Sequence, residues 1–302
     1  MTPKHILITG ANSYIGTSFE KYIAEYNDVH SDEKQYVVDT LDMQSANWRE
    51  YDFSKYDSVF HVAGITHADT GRVSEERKQL YYKVNRDLAE ETAKITKAAG
   101  VKQFIYMSSI IVYGESKSGV DFIIDEKTEP RPANFYGDSK LQAEQRLNTL
   151  VDENFKVVIL RPPMIYGPGC KGNYPILSKI ARYSPIFPKY ENKRSMLFIY
   201  NLCEFVRFVV ENQDSGIFYP QNSAYVCTYE MVKAIAHSHN RKIILTPIFN
   251  GFIRLFMKIG GKVGKLCSKA FGNMAYDLNL SKYKDNYNGI IFQDTVVKTE
   301  QP

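Results

Sequence analysis

Residues 5–16, HILITGANSYIG, carry an apolar strand directly into a glycine turn and the start of a helix. Strand-like runs recur at Tyr36 to Leu41, Ser58 to Ala63, Gln103 to Ser108 and Val157 to Arg161. Helical periodicity fills the intervals, from about Ile15 to Tyr26, Arg77 to Ala99 and Tyr136 to Val151. Short strands that are apolar on both faces, each separated from the next by a helix, pair as a parallel sheet covered by helices on both sides. The expected fold class is α/β, a doubly wound parallel sheet.

The pattern changes after Tyr166, where Gly167, Pro168, Gly169 and Gly172 interrupt it and later segments become shorter and richer in aromatics. The chain therefore reads as a first domain over 1–165 and a smaller C-terminal lobe over 166–302, with some segments of the lobe returning to the first domain. At 302 residues it can bury a sizeable core without disulfides. Its cysteines, Cys170, Cys203, Cys227 and Cys267, lack the paired spacing of a metal or redox motif, so no metal is expected. A net charge of +4 with no basic run argues against nucleic-acid binding. No stretch reaches the roughly 18 apolar residues of a membrane span, and no secretory pattern is visible. The expectation is a cytoplasmic protein with no membrane span. Gly251 to Phe271 is apolar with interleaved lysines, and reads as an amphipathic surface helix interrupted at Gly260 and Gly261 in preference to a membrane-surface contact.

A glycine turn between a strand and a helix offers backbone N–H groups and the positive end of the helix dipole to a pyrophosphate. TGANSYIG thus reads as the cofactor turn of a Rossmann domain, with Gly10, Asn12, Ser13, Tyr14, Ile15 and Gly16 as candidate contacts. Gly10 makes the tight turn and Gly16 lets the helix pack closely, while Ser13 replaces the middle glycine of the usual fingerprint. The second strand ends in YVVDTLD, which offers Asp39 or Asp42 to the adenosine ribose, and the residues alone do not choose between them. Either acid, with no Arg or Lys from Thr40 to Ala46, disfavours a 2′-phosphate and points to NAD over NADP. In HVAG, Ala63 and Gly64 let the chain pass close to the adenosine and ribose side of the cofactor.

Two segments add chemistry to binding: MSSIIVYG, Met107 to Gly114, and YGDSK, Tyr136 to Lys140. In a helix Tyr136 and Lys140 lie one turn apart on one face. A lysine cation there favours phenolate and is expected to lower the phenol pKa, giving a proton acceptor. Ser109, at the end of a parallel strand, stands where ligands bind such sheets and can hydrogen-bond an oxygen being oxidised. A lone Tyr-x-x-x-Lys means little in a chain with 22 tyrosines, but its order after the glycine turn and Ser109 is hard to reach by accident.

Taken in order and spacing, these motifs resemble the extended short-chain dehydrogenase/reductase family, in its NAD-dependent epimerase/dehydratase branch that acts on nucleotide sugars. TGANSYIG is similar to that family's cofactor turn, HVAG to its fourth-strand motif, Asn85 to its helix asparagine, and SSIIVYG, with Ser108 and Ser109, to its serine motif. YGDSK is similar to the tyrosine/lysine pair, and LRPPMIYGPG to the boundary motif that places Arg161 to Pro163 near the nicotinamide. RSMLFIYNL resembles the segment that gives an arginine to the sugar nucleotide diphosphate, here Arg194. The sequence departs from the family at Ser13, at Ser108 and Ser109 without a third serine, and at Asn201 where an aspartate is frequent.

The resemblance implies that Ser109, Tyr136 and Lys140 are catalytic and that Ser109, Tyr136 and Arg194 meet the substrate. Tyr136 takes a proton from a sugar hydroxyl, commonly at C4, as the carbon is oxidised to a 4-keto sugar. Dehydratases of the family carry an acidic pair after the serine, whereas Ile110 and Ile111 follow Ser109 here, which disfavours loss of water. The expected activity is a 4-epimerase of a UDP-hexose or UDP-N-acetylhexosamine in surface-polysaccharide precursor synthesis. The alternatives are a 4-ketoreductase of a UDP-linked deoxysugar and a catalytically silent NAD-binding regulator. By analogy with the family, a homodimer is expected.

Overall fold

The structure is a computed structural model and describes residues 2–32, 35–66, 73–115 and 122–301. In chain order its elements begin β1 (Lys4–Thr9), α1 (Tyr14–Val29), β2 (Tyr36–Leu41), β3 (Ser58–His61), α2 (Glu75–Tyr82) and α3 (Leu88–Ala98). They continue with β4 (Gln103–Met107), β5 (Ile123–Ile124), α4 (Phe135–Asn148), β6 (Lys156–Leu160), β7 (Met164–Tyr166), α5 (Tyr174–Tyr183), β8 (Ile186–Pro188) and β9 (Met196–Phe198). The remainder is α6 (Ile199–Asn212), β10 (Gly216–Phe218), α7 (Thr228–Ser238), β11 (Ile244–Thr246), α8 (Asn250–Ile259), α9 (Gly261–Phe271), β12 (Ala275–Tyr276) and α10 (Phe292–Glu300).

Six strands form one parallel sheet in the order β10-β6-β4-β3-β1-β2. Both of its faces are apolar and covered, as the sequence predicts. Leu7, Val59, Phe104 and Val157 pack on one side with Ala89 and Ala93 of α3 and Ala143 and Leu147 of α4. On the neighbouring positions, Ile6, Ile8, Phe60 and Ile105 are fully buried, and Phe60 meets Phe19 of α1 edge-to-face at 5.4 Å between centroids. The chain crosses from β2 back over β1 to β3, which makes β1/β3 the point where strand order reverses. Ligands in open α/β sheets bind outside the carboxyl ends of the strands at such a point. Here that edge is formed by the Gly10 turn after β1 and by Val62 and Ala63 after β3, whose N–H groups both donate to the Thr9 carbonyl, at 3.0 and 2.9 Å.

The chain divides into two compact units. The first holds residues 1–114, 130–162 and 202–219, and so takes edge strand β10 from late in the sequence; the second holds 115–129, 163–201 and 220–302. Two-stranded parallel pairs, β8 with β11, β5 with β12 and β7 with β9, tie the second unit together. Among the described residues, no helix is long and apolar enough to cross a membrane.

The helix expected over Arg77 to Ala99 departs from its pattern in the middle. Residues Lys83–Asp87 form a π turn between α2 and α3. The wider turn inserts an extra residue into the helical ladder, a device that recurs at functional sites. It carries Asn85, which is fully buried.

Candidate active site

The first unit brings together most of the expected site. Gly10 has φ of +123°, and a Cβ there would lie 2.6 Å from the Ala63 nitrogen, so no other residue fits the turn between β1 and β3. Asn12 is left-handed, with φ of +61°, a conformation asparagine tolerates. Ser13 caps α1 in an extended conformation and its Oγ accepts the Gly16 N–H at 3.1 Å. That explains the departure from the glycine fingerprint: the position has ordinary negative φ and its side chain satisfies a helix-terminal donor. Tyr14 and Ile15 form the first turn of α1 behind it.

Asn85 organises the other wall. Its amide oxygen accepts the Ile65 N–H at 2.8 Å, and its nitrogen donates at 3.1 Å both to the Ile65 carbonyl and to Ser139 Oγ on α4. The segment after β3 is thereby fixed to the helix that carries Tyr136 and Lys140. A Cβ on Gly64 would lie 3.0 Å from Asn85 Oδ1 and 3.2 Å from Lys140 Nζ, so the backbone passes closely over both side chains. Lys140 is buried, donates to the Met107 carbonyl at 2.7 Å, and holds its ammonium 4.7 Å from the centre of the Tyr106 ring. Tyr136 lies beside Ser109, whose Oγ accepts the Ile111 N–H at 3.3 Å and caps the turn Ile110–Tyr113. Ser109, Tyr136 and Lys140 thus meet at the carboxyl end of β4.

Beneath them lies a charged pair that the sequence reading did not anticipate. Arg161 donates from Nε to both Glu144 oxygens at 3.1 and 3.2 Å, from its NH2 nitrogen to Oε2 at 2.5 Å, and from NH1 to Tyr113 Oη at 2.7 Å. Ser108 Oγ donates to the same carboxylate. The side chains of Arg161 and Glu144 are only 6% and 2% exposed. Arg161 therefore supports α4 from below, engaged by protein partners. A helical acid one turn beyond Lys140 was the available clue.

Pro163 and Arg194 lie in the second unit. Arg194 donates from NH1 to the carbonyls of Lys269 and Gly272, at 3.0 and 3.1 Å, and so caps the C-terminal end of α9. Of the two candidate acids, Asp39 lies inside β2, where Tyr56 donates to it at 2.7 Å and Lys55 approaches at 3.5 Å. Asp42 follows β2 directly, next to the Leu41 carbonyl that accepts the Gly10 and Ala11 N–H groups, and its own oxygen accepts the Gln44 N–H at 2.9 Å. Asp42 is therefore the acid beside the glycine turn.

Residues 6–227 match the profile of the NAD dependent epimerase/dehydratase family. The chain belongs to that family. It is 30% identical over 298 residues to UDP-glucose 4-epimerase of Vibrio cholerae, spanning 93% of this chain and 89% of that protein. It is 27% identical over 253 residues to N-acetyl-alpha-D-glucosaminyl-diphospho-ditrans,octacis-undecaprenol 4-epimerase of Escherichia coli O157:H7, covering 79% and 73% of the two chains. The crystal structure of UDP-glucuronic acid 4-epimerase from Bacillus cereus in complex with NAD shares the fold, with a TM-score of 0.66 at 14% identity over 98% of this chain and 97% of that one.

As a member of this family the enzyme uses NAD, and its first unit is built for a dinucleotide. The Gly10 turn, whose φ and close approach to Ala63 only glycine allows, and the helix N-terminus behind Ser13 form the cradle such a group needs.

The electrostatics of the tyrosine/lysine pair differ from the sequence expectation. Burial pushes the Tyr136 phenol up to about 12, with the Ser109 hydrogen bond opposing and Tyr81 adding to the rise. Burial likewise pulls Lys140 down to about 7, with the Glu144 charge opposing. Removing both groups from water penalises phenolate and ammonium alike. The stability consequence has a definite sign. Because the folded Lys140 value lies below its ordinary 10.5, the unfolded chain holds the extra proton between about 7 and 10.5. The cost of burying the charge is full below about 7 and vanishes as pH rises through that window. Lys140→Met is therefore expected to raise the melting temperature most at or below neutrality, the gain shrinking toward pH 10.5; a gain independent of pH would count against a buried, strained ammonium.

Proposed function

We propose that the enzyme is a nucleotide-sugar 4-epimerase acting on a UDP-hexose or UDP-N-acetylhexosamine in surface-polysaccharide precursor synthesis. The observation that carries this reading is the placement of Ser109, Tyr136 and the anchored Lys140 together at the carboxyl end of β4. The long match to a UDP-glucose 4-epimerase supports it, as does the pair Ile110 and Ile111 where a dehydratase needs acids.

Tyr136 removes the proton from the C4 hydroxyl, and Ser109 donates to the same oxygen as it becomes a carbonyl. Bound NAD supplies the acceptor and later donor of the C4 hydride, and in its oxidised form a positive charge that favours the phenolate. Lys140 would hold the nicotinamide ribose and Asp42 the adenosine ribose. Arg194, steadied by the two α9 carbonyls, gives the diphosphate a cationic partner. The 4-keto sugar turns over within the site and is reduced on its other face, Tyr136 returning the proton.

Incubation of the purified enzyme with UDP-glucose and UDP-N-acetylglucosamine, followed by separation of the products, tests this reading. The expected result is interconversion with the galacto isomer of one or both, with no reduced nicotinamide accumulating or consumed. Stoichiometric consumption of NADH or NADPH with a 4-keto sugar assigns the enzyme as a reductase instead, and absence of any turnover points to a silent binding protein.

A further inference from the structure

The helices α8 and α9 pack on each other in the second unit and turn an unusual surface outward. Gly260 and Gly261, with φ of +79° and +67°, break what the periodicity joins, and Gly264 lies so close to α8 that a Cβ there would meet the Phe256 carbonyl. On α8, Ile253 and Met257 are buried, whereas Phe252, Leu255, Phe256 and Ile259 form an i, i+3, i+4, i+7 stripe that is 63%, 51%, 40% and 70% exposed. Val263 and Leu266 of α9 are 53% and 67% exposed. Contiguous apolar faces of this kind mark a binding surface.

The charge around the stripes is of one sign. No acidic residue occurs between Glu230 and Asp277, while eight Lys and Arg do. Five of these, Arg254, Lys258, Lys262, Lys265 and Lys269, stand exposed on the two helices. On a helix Arg254 and Lys258 border the exposed stripe of α8 on the side away from its packed face, and Lys262, Lys265 and Lys269 border that of α9. Short helices with an aromatic and leucine face flanked by lysines lie in the interface of an anionic bilayer, apolar residues among the acyl chains and cations at the phosphates. We propose that α8 and α9 dock the enzyme on a membrane surface of anionic phospholipid. The inference goes beyond the epimerase reading and does not rest on it.

Co-sedimentation of the full chain with vesicles tests it. The protein is expected to pellet with phosphatidylcholine vesicles containing phosphatidylglycerol and to remain in the supernatant with phosphatidylcholine alone, with binding weakened by high salt. Two variants on exposed positions, Leu255→Ser with Leu266→Ser and Lys262→Glu with Lys265→Glu, are each expected to lower the bound fraction about tenfold. Both should keep the parent's unfolding midpoint and NAD affinity. Failure to bind anionic vesicles overturns the proposal, as does equal binding to neutral ones. So does sedimentation equilibrium showing a dimer that these substitutions dissociate, since a second copy then covers the face. Sugar turnover is read separately, so loss of vesicle binding and failure of the epimerase reading are distinguishable.

Discussion

Tyr136→Phe is expected to lower turnover by about 10²- to 10⁴-fold, the range a positioned general acid/base supplies, while NAD affinity stays near that of the parent. The ring is held independently of its hydroxyl, stacked edge-to-face against Tyr81 at 6.2 Å between centroids. The substitution therefore removes the proton acceptor and leaves the Gly10 turn, Asn85 and Lys140 in place. Steady-state turnover with titration of NAD measures both arms. A residual rate within tenfold of the parent would remove Tyr136 from the proton transfer; a parallel loss of NAD binding would mean that the residue supports the cofactor cradle. Because burial pushes the phenol up to about 12, a positive charge beside it favours phenolate, and activity is expected to depend on NAD being in its oxidised form when sugar arrives.

The second large effect is on stability. Glu144→Ala strips Arg161 of the partner that three of its hydrogen bonds reach and leaves a guanidinium that is 6% exposed. Removing one member of a buried ion pair costs about 3–5 kcal/mol, which for a chain of this size lowers the melting temperature by on the order of 10 °C. Glu144→Leu combined with Arg161→Met should cost much less, because no buried charge is stranded. A calorimetric scan of the single and double variants decides the point; equal losses would show that packing, not charge, dominates there. The Glu144 charge also raises the Lys140 pKa, so the single variant should make Lys140 still harder to protonate. Support of α4 and tuning of the site then share one carboxylate.

Elements of the first unit were legible because their signals are local. Short continuous apolar runs and the Gly10 turn name their own conformations, and Ser109 and Tyr136 each sit at a recognisable element end. Three features were not legible, and each depends on partners distant in sequence or on geometry that periodicity averages away. The π turn at Lys83–Asp87 shifts the helix by a single residue, too little to disturb an apolar pattern read over twenty. The Glu144–Arg161 pair joins a helix to a strand end, and nothing in either segment names the other. His61, fully buried with Nδ1 2.8 Å from Thr9 Oγ1, looked like one more strand residue; burial followed by the Lys140 charge pulls it down to about 3, so it is neutral and bridges β1 and β3. That Asp39 lies inside β2 and Asp42 directly after it likewise required register, since only the paired strand shows where β2 ends. Burial of the tyrosine/lysine pair, which reversed the expected electrostatics, is a property of the packed fold that no spacing encodes.

The central claim is that C4 of the sugar is oxidised and reduced again without its hydrogen leaving the site. It is tested most directly with UDP-glucose deuterated at C4. After conversion by the enzyme in ordinary water, mass and NMR analysis of the product should find deuterium retained at C4, the Tyr136 proton having exchanged only at oxygen. Loss of the label to solvent would contradict the account, because C4 would then have been inverted by carbon deprotonation.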